Sequence, residues 1–167
     1  MLNSINNFKL GFSEIAKISP SEVEKVLQDH SKVTLSEMTI FDLLKYKGEV
    51  VRHGVYIFYS PENEPLYVGK NSAQSFVERI PWHFSLSDKS WMNGFVRGIR
   101  KFKELEKLAH TTDYAKKCKL LLIVDDCGIS KKKLERTLRI LLKPKFNSFK
   151  TIKNNFKYDT LEEILAG

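Results

Sequence analysis

Tyr56 and Tyr67 lie in two short aromatic and β-branched segments, Gly54-Val55-Tyr56-Ile57-Phe58-Tyr59 and Leu66-Tyr67-Val68. A tyrosine hydroxyl can hold a water or a phosphate. It accepts a proton only if cations lower its reference pKa of about 10 or a metal-bound water asks less of it. Two such rings are equally ordinary as structural residues of an aromatic sheet. Arg79 and His83 stand four residues apart. At helical spacing the guanidinium presents a planar fork to a phosphate, and the imidazole one turn on donates to the same oxygens or takes a proton near neutrality. The plainer readings are surface charge for Arg79 and packing beside Trp82 for His83. Glu135 is the one acidic residue among nine basic ones between positions 129 and 153. It is either an i,i+4 partner of Lys131 or Arg139, worth a few tenths of a kcal/mol when exposed, or a carboxylate that holds a divalent cation against phosphate. Mg²⁺ keeps several waters and draws charge from substrate phosphate, so one carboxylate binds it weakly without nucleic acid. His30, His53 and His110 have no neighbours at metal-ligand spacing. Cys118 and Cys127 flank a predicted strand and read as core or edge residues.

The elements that must position these side chains follow from periodicity and turn chemistry. Ser60-Pro61-Glu62-Asn63-Glu64-Pro65 joins the two aromatic segments as a turn, which predicts a β-hairpin ended by Gly69. With Ser60 opposite Pro65, Tyr56 pairs with Gly69 and Phe58 with Tyr67. Both tyrosines then emerge on one face, diagonally across the ladder. Ser72 or Ser75 opens a helix holding Phe76, Val77, Arg79 and Ile80, and Pro81 kinks or ends it. Residues 91–109 read as mainly helical, with Trp91, Phe95, Ile99 and Phe102 as the apolar stripe. Cys118 to Val124 reads as a buried strand. Ser130 starts a helix striped by Leu134, Leu138, Leu141 and Leu142, which Pro144 stops. Ahead of all this, Ser19-Pro20-Ser21-Glu22 caps a helix to about Gln28, and Thr34 with Glu37 caps a second one ended by Gly48. Thr160 and Glu163 cap a last short helix. The expected organisation is a helical extension over 1–50, a main domain over 51–155 and a short C-terminal helix within 156–167.

Charge points to the partner. The 167 residues carry 28 Lys and Arg against 20 Asp and Glu, a formal net charge of +8. Residues 1–50 hold six basic and seven acidic side chains, so the excess lies in residues 51–167. A positive field on one part of a chain attracts an anionic partner and gains from counterion release, although the same charge also keeps a surface solvated. The longest apolar runs, Val55–Tyr59 and Leu120–Val124, are five residues each, far short of the roughly 20 a spanning helix needs. No membrane association is expected. The start lacks the pattern of a secretory signal, two cysteines are too few for a disulfide framework, and the expected setting is cytoplasmic.

In order along the chain, Gly54-Val55-Tyr56, then Tyr67-Val68-Gly69, Arg79-x-x-x-His83, Glu135 within a leucine-rich helix, and Lys143-Pro144-Lys145-Phe146-Asn147 resemble the GIY-YIG nuclease superfamily. Valine replaces isoleucine in each signature triplet, a change of one methylene in core positions. The resemblance spans residues 54–147. It implies an α+β fold, a small three-stranded antiparallel sheet flanked by helices, preceded here by the N-terminal helical extension. It implies a metal-dependent endonuclease that hydrolyses DNA phosphodiesters to 5′-phosphate and 3′-hydroxyl ends. In that reading Tyr56 is the general base or orients the water, Tyr67 helps to place the phosphate, and Arg79 binds the scissile phosphate. His83 supports Tyr56 or the water, Glu135 holds one Mg²⁺ or Mn²⁺, and Asn147 braces the site. Lys70, Lys131, Lys143 and Lys145 join Arg79 in contacting nucleic acid. A restriction or phage-defence enzyme is the favoured role. The alternatives are a structure-specific repair or mobile-element nuclease, or a nucleic-acid-binding protein that needs a partner for activity. RNA as substrate, a homodimer and a protein partner all stay open.

Overall fold

The computed structural model describes residues 8–51, 53–71, 73–147 and 160–166. Its strands are β1 (Lys9–Gly11), β2 (Val33–Thr34), β3 (Lys45–Tyr46), β4 (Glu49–Val50), β5 (Gly54–Tyr59), β6 (Pro65–Asn71) and β7 (Lys119–Val124). Its helices are α1 (Phe12–Ile15), α2 (Pro20–Asp29), α3 (Phe76–Trp82), α4 (Gly94–Phe102), α5 (Thr112–Lys117), α6 (Lys131–Leu142) and α7 (Leu161–Ala166), with 3₁₀ turns at Ile40–Leu43 and Leu108–Thr111.

β7, β5 and β6 form an antiparallel unit with β5 in the middle. β1 extends it in parallel beside β7, and β2 pairs antiparallel with β7, giving a five-stranded mixed sheet in an α+β fold. The expected sheet had three strands; the two additional ones come from residues 1–50. Val33 and Thr34 lie opposite Leu120 and Lys119 instead of opening a helix. The capping box in this region is formed by Thr39 and Asp42, on the short 3₁₀ turn. Gly48, expected to end a helix, sits with Lys47 in a hairpin turn between β3 and β4, both at positive φ (85° and 49°), the backbone that a tight two-residue hairpin requires. Of the two helices expected here, the first forms, as α2, held by the Ser19–Glu22 capping box with Pro20 at its start.

β5 is buried on both sides, which is why GVYIFY reads as an unbroken apolar run. Val55, Ile57 and Tyr59 face one layer, where they meet Leu121 and Ile123 of β7, Leu134, Leu138 and Leu142 of α6, Val23 and Leu27 of α2, and Leu161 and Leu165 of α7. Tyr56 and Phe58 face the other layer, with Leu120 and Leu122 of β7, Phe76 and Ile80 of α3, and Phe95 and Ile99 of α4. The helix expected over 91–109 is confined to α4 and the short turns that follow it, and Trp91 lies before it. The expected domain limit at 155 falls outside the described residues.

Candidate functional site

The hairpin register places the tyrosines. Tyr56 pairs with Gly69 and Phe58 with Tyr67, and the ladder shifts by one residue between Phe58 and Tyr59, so that Pro65 stands opposite Tyr59 rather than Ser60. The Tyr56 and Tyr67 rings stack with centroids 6.3 Å apart. Gly69 makes room for this: a Cβ there would lie 2.4 Å from the Tyr56 ring.

α3 supplies the next pair. Ser75 and Glu78 form its capping box, and the helix runs through Pro81 for one more residue before His83 caps it. Arg79 and His83 therefore stay one turn apart on the face turned toward β5. The Tyr56 hydroxyl and His83 Nε2 are 2.7 Å apart, and both side chains are fully buried. His83 also packs edge-on against Phe58 and Tyr67. Among the described residues its Nδ1 has no hydrogen-bond partner. Burial, reinforced by the Arg79 cation, pushes His83 down to about 3, so it is neutral at pH 7. Burial raises Tyr56 well above the ordinary tyrosine value; the Tyr67 hydroxyl adds to the rise and Arg79 opposes it. Tyr67 is raised as well, chiefly by burial, against Arg79 and Arg139. Arg79 is anchored through Nη1, which donates to the Met92 carbonyl at 3.3 Å.

Glu135 reaches the site from the opposite layer. α6 packs against β6 at the sheet edge, which brings Glu135 into the field of Tyr56, Tyr67, Arg79 and Lys70. Its side chain is 19% exposed and pairs with Arg139 at 4.0 Å. Burial raises its pKa, and Lys70, Arg139 and Arg79 pull the other way. The expectation of Mg²⁺ or Mn²⁺ on Glu135 is corrected by these surroundings. Among the described residues no group of three or more His, Cys, Asp or Glu side chains could hold a metal ion. A single carboxylate ringed by cations that already share its charge does not fit a bound divalent cation.

Asn147 sits on the open edge of β6. Its Oδ1 accepts from the Val68 N–H at 2.7 Å and its Nδ2 donates to the Val68 carbonyl at 2.9 Å. Together with the Phe146 N–H on the Leu66 carbonyl at 2.7 Å, this satisfies backbone groups that an edge strand otherwise leaves unpaired. The basic residues divide. Lys70 follows Gly69 on β6 and lies in the field of Glu135. Lys131 is committed to Asp125 at 3.1 Å. Lys145 pairs with Glu64 at the hairpin turn, and Lys143 is exposed at the end of α6 in left-handed backbone. Arg139, named in the sequence only as a helix partner for Glu135, also acts on Tyr67.

The remaining chemistry-bearing groups lie elsewhere. Cys118 is buried with its thiol pushed up to about 12 by desolvation, while Cys127 is exposed and unbridged. An apolar cavity of about 430 Å³ between α3, α5 and the 35–43 segment is lined by Met38, Ile80, Phe84, Val96 and Ala115, with the exposed Lys116 as the ionisable residue of its lining. No helix among the described residues is long and apolar enough to cross a membrane. Comparison with protein-family models, with curated proteins and with solved structures finds no match to this chain.

Proposed function

We propose that this site hydrolyses a phosphodiester bond of DNA as an endonuclease acting in the cytoplasm. The observation that carries the reading is the buried 2.7 Å contact between the Tyr56 hydroxyl and His83 Nε2 beside Arg79, in the order and spacing that resemble the GIY-YIG nucleases. Arg79 offers its guanidinium to the scissile phosphate, and Lys70 adds positive charge on the Glu135 side. A water attacks phosphorus in line with the leaving 3′ oxygen. Tyr56, its own hydrogen bonded to Nε2 of the neutral His83, holds and orients the water through its oxygen, while the water's proton goes to a non-bridging phosphate oxygen and on to the departing 3′ oxygen. The products are a 5′-phosphate and a 3′-hydroxyl, the polarity that the family resemblance implies. Glu135 balances the cations around the phosphate.

The test is incubation of the purified protein with supercoiled plasmid, DNA junctions and RNA, followed by end-labelling of any products. Nicked or linear DNA with 5′-phosphate ends is expected. Arg79→Lys should lose about 10²-fold in single-turnover rate at saturating DNA, because lysine cannot supply the planar pair of donors. Cleavage unchanged in Arg79→Lys reduces Arg79 to a general backbone contact, and no cleavage of any substrate defeats the nuclease reading.

A further inference from the structure

We propose that Trp91 and Trp82 form a base-stacking platform at the rim of this site, so that the strand it engages carries unpaired bases next to the bound phosphate. The inference rests on the nucleic-acid reading above and adds the strand form to it. These are the two tryptophans of the chain, and both face solvent, Trp91 at 82% exposure and Trp82 at 47%. A tryptophan stripe at helical spacing normally goes into the core, yet α4 buries Phe95 and Ile99 and leaves Trp91 outside. Scattered exposed apolar residues need no explanation, but these two stand next in the chain to residues tied to the proposed chemistry. Trp82 precedes His83 and lies three residues beyond Arg79. Trp91 precedes Met92, whose carbonyl accepts from Arg79, and lies three residues before Gly94, where an added Cβ would lie 3.4 Å from the Tyr67 ring.

The backbone that presents Trp91 is fastened. Asn93 is fully buried, and its Nδ2 donates to the Ser85 carbonyl at 2.7 Å and the Ser87 carbonyl at 3.1 Å. Arg97 donates to the Asp88 carbonyl, and Arg100 pairs with the Asp88 carboxylate at 3.1 Å. A ring held on a fixed loop loses little entropy on binding. The charge around it suits a polyanion: residues 88–104 hold Lys89, Arg97, Arg100, Lys101 and Lys103 against Asp88 and Glu104, and the Asp88 carboxylate is paired with Arg100. Aromatic faces interleaved with cations bind single strands by stacking on bases while the cations follow the backbone, and stacking is open only to bases that are not inside a duplex.

The experiment measures affinity for a fluorescein-labelled oligothymidylate, a blunt duplex and the same duplex with a single-stranded overhang, by fluorescence polarisation and tryptophan quenching. A Tyr56→Phe background keeps strands uncut. The expected result is tighter binding of the single strand and the overhang than of the blunt duplex, with tryptophan emission quenched. Trp91→Ala should weaken the first two by about tenfold and spare the blunt duplex, while Trp91→Phe retains most of the preference. Equal affinity for all three ligands, or a preference that survives Trp91→Ala, overturns the platform. A face that instead docks a protein gives the second outcome. The two readings fail separately: absence of cleavage in the wild type alongside a Trp91-dependent preference defeats the nuclease and keeps the platform, and cleavage without the preference does the reverse.

Discussion

The two faces of the central sheet are built from the same strands and differ in what they enclose. Toward α6, α2 and α7 the sheet presents Val55, Ile57, Val68, Leu121 and Ile123 to leucines and valines, a layer held by close packing and apolar burial. Toward α3 and α4 it presents Tyr56 and Phe58 to aromatic rings and to His83. This second layer keeps a buried hydroxyl–imidazole pair whose Nδ1 has no partner among the described residues, an arrangement that lowers stability relative to hydrocarbon. The aliphatic face thus does the holding, and the aromatic face spends part of that stability on preorganised polar groups. The division is not complete: Tyr59, on the aliphatic side, buries a hydroxyl with no partner among the described residues, and Glu135 belongs to a helix of the aliphatic layer and meets the aromatic site around the edge of β6.

The largest effect that tests this contrast is Tyr56→Phe. Single-turnover cleavage should fall by about 10²- to 10⁴-fold, while denaturant melts show a loss of only about 1–2 kcal/mol from stripping His83 of its hydroxyl partner. Cleavage near wild type would return Tyr56 to a packing role. The mirror experiment is Leu138→Ala on the aliphatic face, which should cost about 2–5 kcal/mol of stability and leave the rate of the folded fraction within a few-fold. A rate collapse at full folding would show that the two layers are not separable.

A third test reads the buried imidazole. His83 titrates near 6.5 in the unfolded chain and is pushed down to about 3 in the fold. Its neutral form therefore contributes stability that is fully present above about pH 6.5 and is lost as pH falls through 6.5 toward 3. Replacing His83 by phenylalanine removes that dependence, so the stability difference between wild type and variant should change by at most about 1.4 kcal/mol per pH unit across this window. Parallel curves would mean that His83 is not buried as the structure has it. The smallest effect is expected from Glu135→Gln, which removes the negative charge facing Lys70, Arg139 and Arg79. DNA should bind about fivefold tighter, on the order of 1 kcal/mol at an intermediate dielectric. Weaker binding would assign Glu135 a direct contact with the ligand.

The hairpin was legible because its signals are local. Alternation and the proline-bounded turn set which residues share a face, and the observed pairs Tyr56–Gly69 and Phe58–Tyr67 follow from a period of two, while the strand expected to end at Gly69 runs on to Asn71 because Gly54 and Val55 still pair with it. α2, α3 and α6 were legible through their capping serines and stripes. β1 and β2 were not, because strands of three and two residues carry no periodicity and exist through pairing with β7, more than 80 positions away in the chain. Trp91 was misplaced for a related reason: its spacing fits a helix stripe, but α4 starts at Gly94, with Asn93 drawn into bonds with the 85–87 backbone.

By itself, the sequence determined which side chains are able to do chemistry, their order, and the local elements that carry most of them, since turns, caps and periodicities act over a few residues. Among the described residues, tertiary structure alone decided that His83 meets the Tyr56 hydroxyl with no partner at Nδ1, that Glu135 arrives from the other layer among cations and not in a metal cluster, and that the N-terminal segment completes the sheet. Those outcomes depend on burial and on the meeting of groups far apart in the chain, which set pKa values, desolvation and charge balance in ways that no local pattern encodes.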